Sequence, residues 1–213
     1  MYGGITSNAS EPSKTMVIIG DVGSGRNSVM RRFRYGITPG PGTVAWLVDM
    51  DPFSTQIEVF GRRVSLRCCR PDDSIYSLQA GFCGKGPISI LGDSQVDAIV
   101  LTFDIGRLNS FRRAEFYWGK MLAIYCSHIP LILLGCKADK RQHNADCASD
   151  SRTEGHEDEI ITKDEAISLM KRLGAETYLE CSALTGNGIH ELFLHAARVT
   201  HRSQRSKAKS SMK

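Results

Sequence analysis

The sequence predicts an α/β domain in which a six-stranded, mostly parallel sheet carries one antiparallel hairpin and has helices on both faces. Three observations carry this reading. Residues 15–20 (TMVIIG), 96–103 (VDAIVLTF) and 129–135 (IPLILLG) are short, nearly continuous apolar runs, the pattern of strands covered on both sides. Longer segments with helical periodicity lie between the later runs, as crossovers between parallel strands require. Residues 56–59 and 63–69 instead alternate polar and apolar side chains around Phe60-Gly61, which reads as a hairpin.

Taken in chain order, the run 15–20 stops at a Gly-rich turn, and residues 27–35 follow as a helix. The hairpin comes next. After the strand 96–103, residues 110–125 form an amphipathic helix with its N-cap expected at Asn109 or Ser110. The strand 129–135 leads into a polar, partly acidic stretch, 139–159, expected as a loop or surface insertion. Residues 162–173 read as a helix ended by Gly174, a residue suited to the left-handed C′ position. Residues 177–181 form the last strand and 188–199 the last helix. No internal repeat is present.

The 213 residues suit one domain with a full-sized core, and 41% hydrophobic with 23% charged residues is the balance of a soluble globular protein. No run of 18 apolar residues occurs, so no transmembrane helix is expected. Residues 1–13 are polar and are expected as a flexible extension, without the apolar centre of a signal peptide. The domain then spans 14–200, and 201–213 is expected as a basic flexible tail. The seven cysteines are scattered and show no metal-ligand spacing; Cys68-Cys69 fits a buried strand better than a zinc site. Reduced thiols and a cytoplasmic location follow as expectations.

The formal net charge of +4 is uneven, because the chain after Ala197 carries Arg198, Arg202, Arg205, Lys207, Lys209 and Lys213 and no acid. Such a segment is ordinarily a solvated end. The sharper reading is a weak attraction to anionic lipid at an inner membrane surface, about 1 kcal/mol per basic residue close to it. No aromatic residues interleave with the charges, so nucleic acid is not an expected partner.

Three short motifs carry chemistry. The first is Gly20-Asp21-Val22-Gly23-Ser24-Gly25-Arg26-Asn27-Ser28, placed between a strand and a helix. Glycines there free backbone N–H groups to surround phosphate oxygens, and the helix N-terminus adds positive potential. The full P-loop pattern is G-x-x-x-x-G-K-[ST]. Here Arg26 replaces the Lys, Asn27 replaces the Ser/Thr, and Ser28 comes one residue late. Arg is still a cation, but its planar fork is bulkier than an ammonium. Asn27 can offer an amide oxygen to Mg²⁺. A strand–turn–helix corner that binds nothing is the equal alternative for this motif alone. The second motif is Cys136-Lys137-Ala138-Asp139, directly after a buried strand. A carboxylate at Asp139 can accept two hydrogen bonds from the N1 and N2 edge of guanine, which adenine does not supply. The plainer reading is a loop with a Lys–Asp pair. The third, Glu180-Cys181-Ser182-Ala183-Leu184, also follows a strand and is weak by itself.

In that order and context the three motifs resemble a Rho-family small GTPase, with the Ras-like P-loop NTPase fold. Cys136-Lys137-Ala138-Asp139 resembles N-K-x-D with Cys in place of Asn, and Ser182-Ala183-Leu184 resembles S-A-K with Leu in place of Lys. Trp118, Cys126 and Pro130 keep the spacing W-x7-C-x3-P, and residues 139–161 have the length and charge of the Rho-type insertion. The resemblance implies GTP/GDP as ligand with Mg²⁺, and effector or regulator proteins as partners. It assigns phosphate binding to Gly20 through Ser28. It assigns guanine binding to Cys136, Lys137, Asp139, Ser182, Ala183 and Leu184. It assigns the metal to Asn27 and Thr43, the latter within Pro41-Gly42-Thr43-Val44, which resembles switch I or is a plain surface loop.

The same resemblance marks what has changed. Where a D-T-A-G-Q element opens switch II, this chain has Cys69-Arg70-Pro71-Asp72-Asp73. Asp73 stands at the position of the water-orienting Gln, so no catalytic residue is assigned. Phosphoryl transfer on this fold depends on positioning and charge neutralisation, so slow or absent hydrolysis is expected. The last cysteine is Cys181 and the sequence ends Ser-Ser-Met-Lys, so no C-a-a-X prenylation is expected. Two functions remain open: a guanine-nucleotide-binding Rho-like protein with impaired hydrolysis, and a pseudo-GTPase interaction module that binds nucleotide weakly or not at all.

Overall fold

A computed structural model of the chain describes residues 13–36, 52–70, 96–141 and 160–210. Its strands are β1 (Lys14–Gly20), β2 (Phe53–Val59), β3 (Arg62–Cys69), β4 (Ala98–Asp104), β5 (Leu131–Cys136) and β6 (Thr177–Cys181). They form one sheet in the order β2-β3-β1-β4-β5-β6. Only β2 and β3 pair antiparallel; every other neighbouring pair is parallel. The antiparallel hairpin turns at Phe60-Gly61, both with positive φ. Successive side chains of β1 point to opposite faces, and both faces are covered. Met16 and Ile18 join one core, Val17 and Ile19 the other. That is why β1, β4 and β5 read as continuous apolar runs.

The first core lies under α1 (Arg26–Tyr35) and α5 (Ile189–Ser210). Helix α5 turns Leu192, Phe193, Ala196 and Ala197 inward, and Phe193 stacks on Phe33 with centroids 3.6 Å apart. The second core lies under a continuous helical stretch and α4 (Lys163–Leu173). The stretch consists of α2 (Leu108–Arg113), a π-helical segment (Ala114–Gly119) and α3 (Lys120–Tyr125). Helix α4 starts with a capping box: Thr162 accepts from the Glu165 N–H while the Glu165 carboxylate accepts from the Thr162 N–H at 2.7 Å. It ends at Gly174, which is left-handed, with φ 64°.

Several element boundaries differ from the sequence expectation, each for a local reason. The first long helix begins at Leu108, because Ser110 does not cap it; its hydroxyl instead accepts the Asp104 N–H at 3.0 Å. Its π-helical middle has no signature in the apolar periodicity. Strand β4 starts at Ala98 and runs through Asp104, since Asp97 pairs with Lys14 and the Thr15 N–H at the strand entrance. Strand β5 includes Cys136, which is a buried strand residue and not part of the loop after it. The final helix does not stop at Val199. It continues to Ser210, so the backbone of 201–210, expected as a flexible tail, is helical. Arg, Lys, Gln, Ala and Ser in that stretch extend a helix already nucleated by packing. No helix among the described residues is long and apolar enough to cross a membrane. Thr43, Asp72, Asp73 and most of the 139–161 insertion lie outside the described residues, as do residues 1–12 and 211–213.

Candidate functional site

Strands β1, β4, β5 and β6 end at the same edge of the sheet, since Gly20 pairs with Thr102, Asp104 with Cys136 and Cys136 with Cys181. The chain leaves β1 toward β3 on one side and β4 on the other. That reversal, at the C-terminal ends of the strands, is where open α/β sheets bind ligands.

The Gly-rich turn occupies this place. Its exit is fixed by Gly25, which caps α1 with φ 110°. A Cβ on Gly25 would lie 2.8 Å from the Cys136 Cβ, so the turn and the β5 loop touch at a point that admits only glycine. The side chains of the turn bond mainly to the protein itself. Thr102 donates to the Ile19 carbonyl at 2.9 Å, which leaves Ser24 to donate to Thr102 at 2.7 Å. Asp21 accepts from Arg113 at 2.6 Å and from the Trp118 indole at 2.9 Å, tying the turn to α2 and the π-helical segment. Arg26 is only 3% exposed, and its Nη1 donates to the Gly20 carbonyl at 2.5 Å. Val22 stands 69% exposed at the tip of the turn.

The residues that the resemblance assigns to guanine are arranged differently. The Ser182 hydroxyl donates to Asp139 Oδ1 and accepts from the Thr185 N–H at 3.2 Å. The Ala138 N–H donates to the Cys181 carbonyl at 3.1 Å and clips the two loops together. Lys137 has a left-handed backbone, φ 64°. Its Nζ donates to Asp104 Oδ2 at 2.7 Å. Cys136 forms the floor. A hydrogen bond with Cys181 and then burial hold its thiol well above the ordinary range, so it is neutral.

Gly25, Ser28, Val29, Cys136, Lys137, Asp139, Ala183 and Leu184 line one open cleft. The turn and the loops after β5 and β6 therefore share one cavity. Ser182 serves it through Asp139. Asp21 and Ser24 are directed elsewhere, and Leu184, 53% exposed, gives the rim an apolar edge. Sequence reasoning gave no role in the site to Asp104, Arg113 or Trp118, the last being singled out only for its spacing from Cys126 and Pro130. Asp104 had a signal, an acid closing an otherwise apolar strand; the partners of Asp21 had none.

For Mg²⁺ the described residues fit poorly. Asn27 Oδ1 is buried and makes no hydrogen bond among the described residues, the condition of an oxygen open to a cation or water. Cys69, at the end of β3, does not suit the ion: burial pushes its thiol up, and a neutral thiol is no partner for a hard cation that takes oxygen ligands. One amide oxygen is a small part of an octahedral shell, and no cluster of three His, Cys, Asp or Glu suited to a metal occurs among the described residues.

Comparison with known proteins bears on the family and the fold. The family model of the Ras family matches residues 89–202. The chain is similar to GTP-binding protein rho1 of Schizosaccharomyces pombe, 29% identical over 203 residues that cover 95% of this chain and 94% of that one. It is similar to GTP-binding protein RHO1 of Saccharomyces cerevisiae, 30% identical over 187 residues, 88% of this chain and 83% of that one. It is also similar to Rho-related GTP-binding protein RhoD of Homo sapiens, 27% identical over 187 residues, 88% and 82% of the two chains.

Proposed function

This chain belongs to the Ras family as a divergent Rho-like small GTPase, and we propose that it binds GDP and GTP through a base site that keeps Lys137, Asp139, Ser182 and Ala183 while hydrolysing GTP very slowly or not at all. One observation carries the proposal. Asp139 is held by Ser182 through one carboxylate oxygen and lines the cleft beside Lys137 and Ala183, with its second oxygen making no further bond among the described residues. An oriented carboxylate of this kind can take the N1 and N2 protons of guanine. The Lys137 stem supplies a wall for the ring, and the backbone at Ala183 faces O6.

The phosphate side supports the second half. A loose phosphoryl-transfer transition state needs a cation on the β/γ oxygens, a metal and a positioned water. Arg26 is engaged with the Gly20 carbonyl, Cys69 is neutral, and Asp73 replaces the Gln. A carboxylate near the γ-phosphate adds repulsion of roughly 1–4 kcal/mol at ~4 Å, depending on the local dielectric. Mg²⁺ is given no step, because Asn27 is the one candidate ligand among the described residues and a single amide oxygen does not make its shell.

Arg26 also favours a second reading, a pseudo-GTPase that works as an interaction module. Phosphates must compete with the Gly20 carbonyl for its guanidinium, which weakens nucleotide binding. Denaturing the purified protein, identifying released nucleotide and titrating fluorescent GDP and GTP with and without Mg²⁺ separates the two. Retained guanine nucleotide or a titratable affinity supports the first reading; none at millimolar ligand replaces it with the second. Single-turnover GTP hydrolysis at an ordinary small-GTPase rate removes the claim of impaired chemistry.

The reading extends to location. The basic end of α5 gives weak, salt-sensitive attraction to an anionic inner membrane surface from a cytoplasmic protein. Sedimentation with phosphatidylserine vesicles at low salt, abolished at high salt, is the expected result; no sedimentation at low salt removes it.

A further inference from the structure

Asp104 closes β4 with its side chain wholly out of solvent, 0% exposed. None of the roles above uses it. Besides Lys137 at 2.7 Å, Lys140 Nζ lies 3.3 Å from Oδ1 and 3.5 Å from Oδ2, and the Gly106 N–H donates to Oδ1 at 2.9 Å. Gly106 is what admits Lys140: a Cβ there would lie 2.5 Å from its Cδ and 2.6 Å from its Nζ. A buried carboxylate without a counter-charge is costly, so it draws ammonium groups to it. Lys137, one of the two it draws, lines the cleft, whereas Lys140 does not.

We infer that Asp104 is the positioning residue of the base site: by fixing the Lys137 ammonium it holds the lysine stem upright as the wall against which a guanine ring packs. This rests on the nucleotide-binding reading above. A lysine stem free to sample its rotamers loses that freedom when a ligand packs on it. Anchoring the ammonium to a buried acid removes the loss before the ligand arrives, which is preorganisation. Lys140 shares the anion and steadies it without meeting the ligand.

Asp104→Asn keeps the shape of the side chain and the acceptor for Gly106. Titrated with fluorescent GDP on the full chain, it is expected to bind about tenfold more weakly. Lys137→Ala loses a similar factor, and the double variant is no weaker than either single one, because both remove the same wall. Lys140→Ala stays within about twofold of wild type, as a partner outside the cleft should. Additive losses in the double variant, or unchanged affinity in Asp104→Asn, overturn the inference. A second readout needs no nucleotide. Amine-reactive labelling of Lys137, followed by peptide mass spectrometry, is expected to rise severalfold in Asp104→Asn; equal labelling overturns the inference. Wild-type protein that binds no GDP overturns the binding reading and this inference together, whereas wild-type binding untouched by Asp104→Asn removes the inference alone.

Discussion

The loops after β5 and β6 and the turn after β1 meet at one cleft, yet their polar groups face different ways. In the loops after β5 and β6, Ser182 holds Asp139 and Asp104 holds Lys137, and both held residues still line the cleft. In the turn, Arg26, Ser24 and Asp21 bond to Gly20, Thr102, Arg113 and Trp118. The first arrangement leaves ordered polar side chains at the cleft, and the second turns them into the body of the protein. Reading a base takes a few side chains in place. Gripping a triphosphate takes a free cation and a metal as well, so the second task is lost first when single residues change.

The largest expected effect tests the base side. Asp139→Ala is expected to weaken GDP binding by about a hundredfold or more, since it leaves buried ligand donors unpaired; a fluorescence titration that finds less than a threefold change breaks the contrast. Next comes the seam between the two regions. Gly25→Ala places a Cβ against Cys136 at φ 110° and is expected to cost roughly 1–3 kcal/mol in urea unfolding.

A gain of function sharpens the contrast from the other side. Arg26→Lys with Asn27→Thr restores a compact ammonium and a hydroxyl, and is expected to tighten GDP binding by about tenfold and make it Mg²⁺-dependent. Unchanged affinity would mean that the turn is limited by its backbone and not by these two side chains. The smallest effect lies away from the cleft. Thr162→Ala removes the cap of α4 and is expected to lower stability by about 1 kcal/mol, with GDP affinity unchanged. The hydroxyl and backbone N–H of Thr162 hold the Glu165 carboxyl below its ordinary value of 4.5. Its contribution is therefore present above that value and fades as pH falls through the lowered one. The difference between Thr162→Ala and wild type should accordingly shrink in acid-unfolding curves below about pH 4.

Much of the fold was legible because its strands are covered on both faces. Residues 15–20 and 129–135 could be little else, and the Phe60-Gly61 turn announced the hairpin. Boundaries were less legible where a side chain served a distant partner. Ser110 looked like a cap and instead bonds Asp104; Asp97 looked like strand and instead pairs with Lys14. In the candidate site, the order of the two loops after β5 and β6 was readable, and they meet at one cleft. Their supports were not, because Asp104 is 33 positions from Lys137 and Arg113 is 92 from Asp21. Such pairings exist only once the sheet has brought strand ends together. The burial of Arg26 was equally hidden, since sequence gives its charge and not the direction of its fork.

The unbroken course of α5 has a consequence for how its first basic residues are aimed. Arg198 and Arg202 are four positions apart, which at about 100° per residue places them on one side of the helix, and both are exposed. Because the same helix buries Leu192, Phe193, Ala196 and Ala197 in the core, that side has a fixed phase relative to the body of the protein. Inserting one residue between the two arginines would swing Arg202 by about 100° away from Arg198, while inserting seven would bring it back into near alignment about two turns further out. These two charges thus have an azimuth as well as a sign.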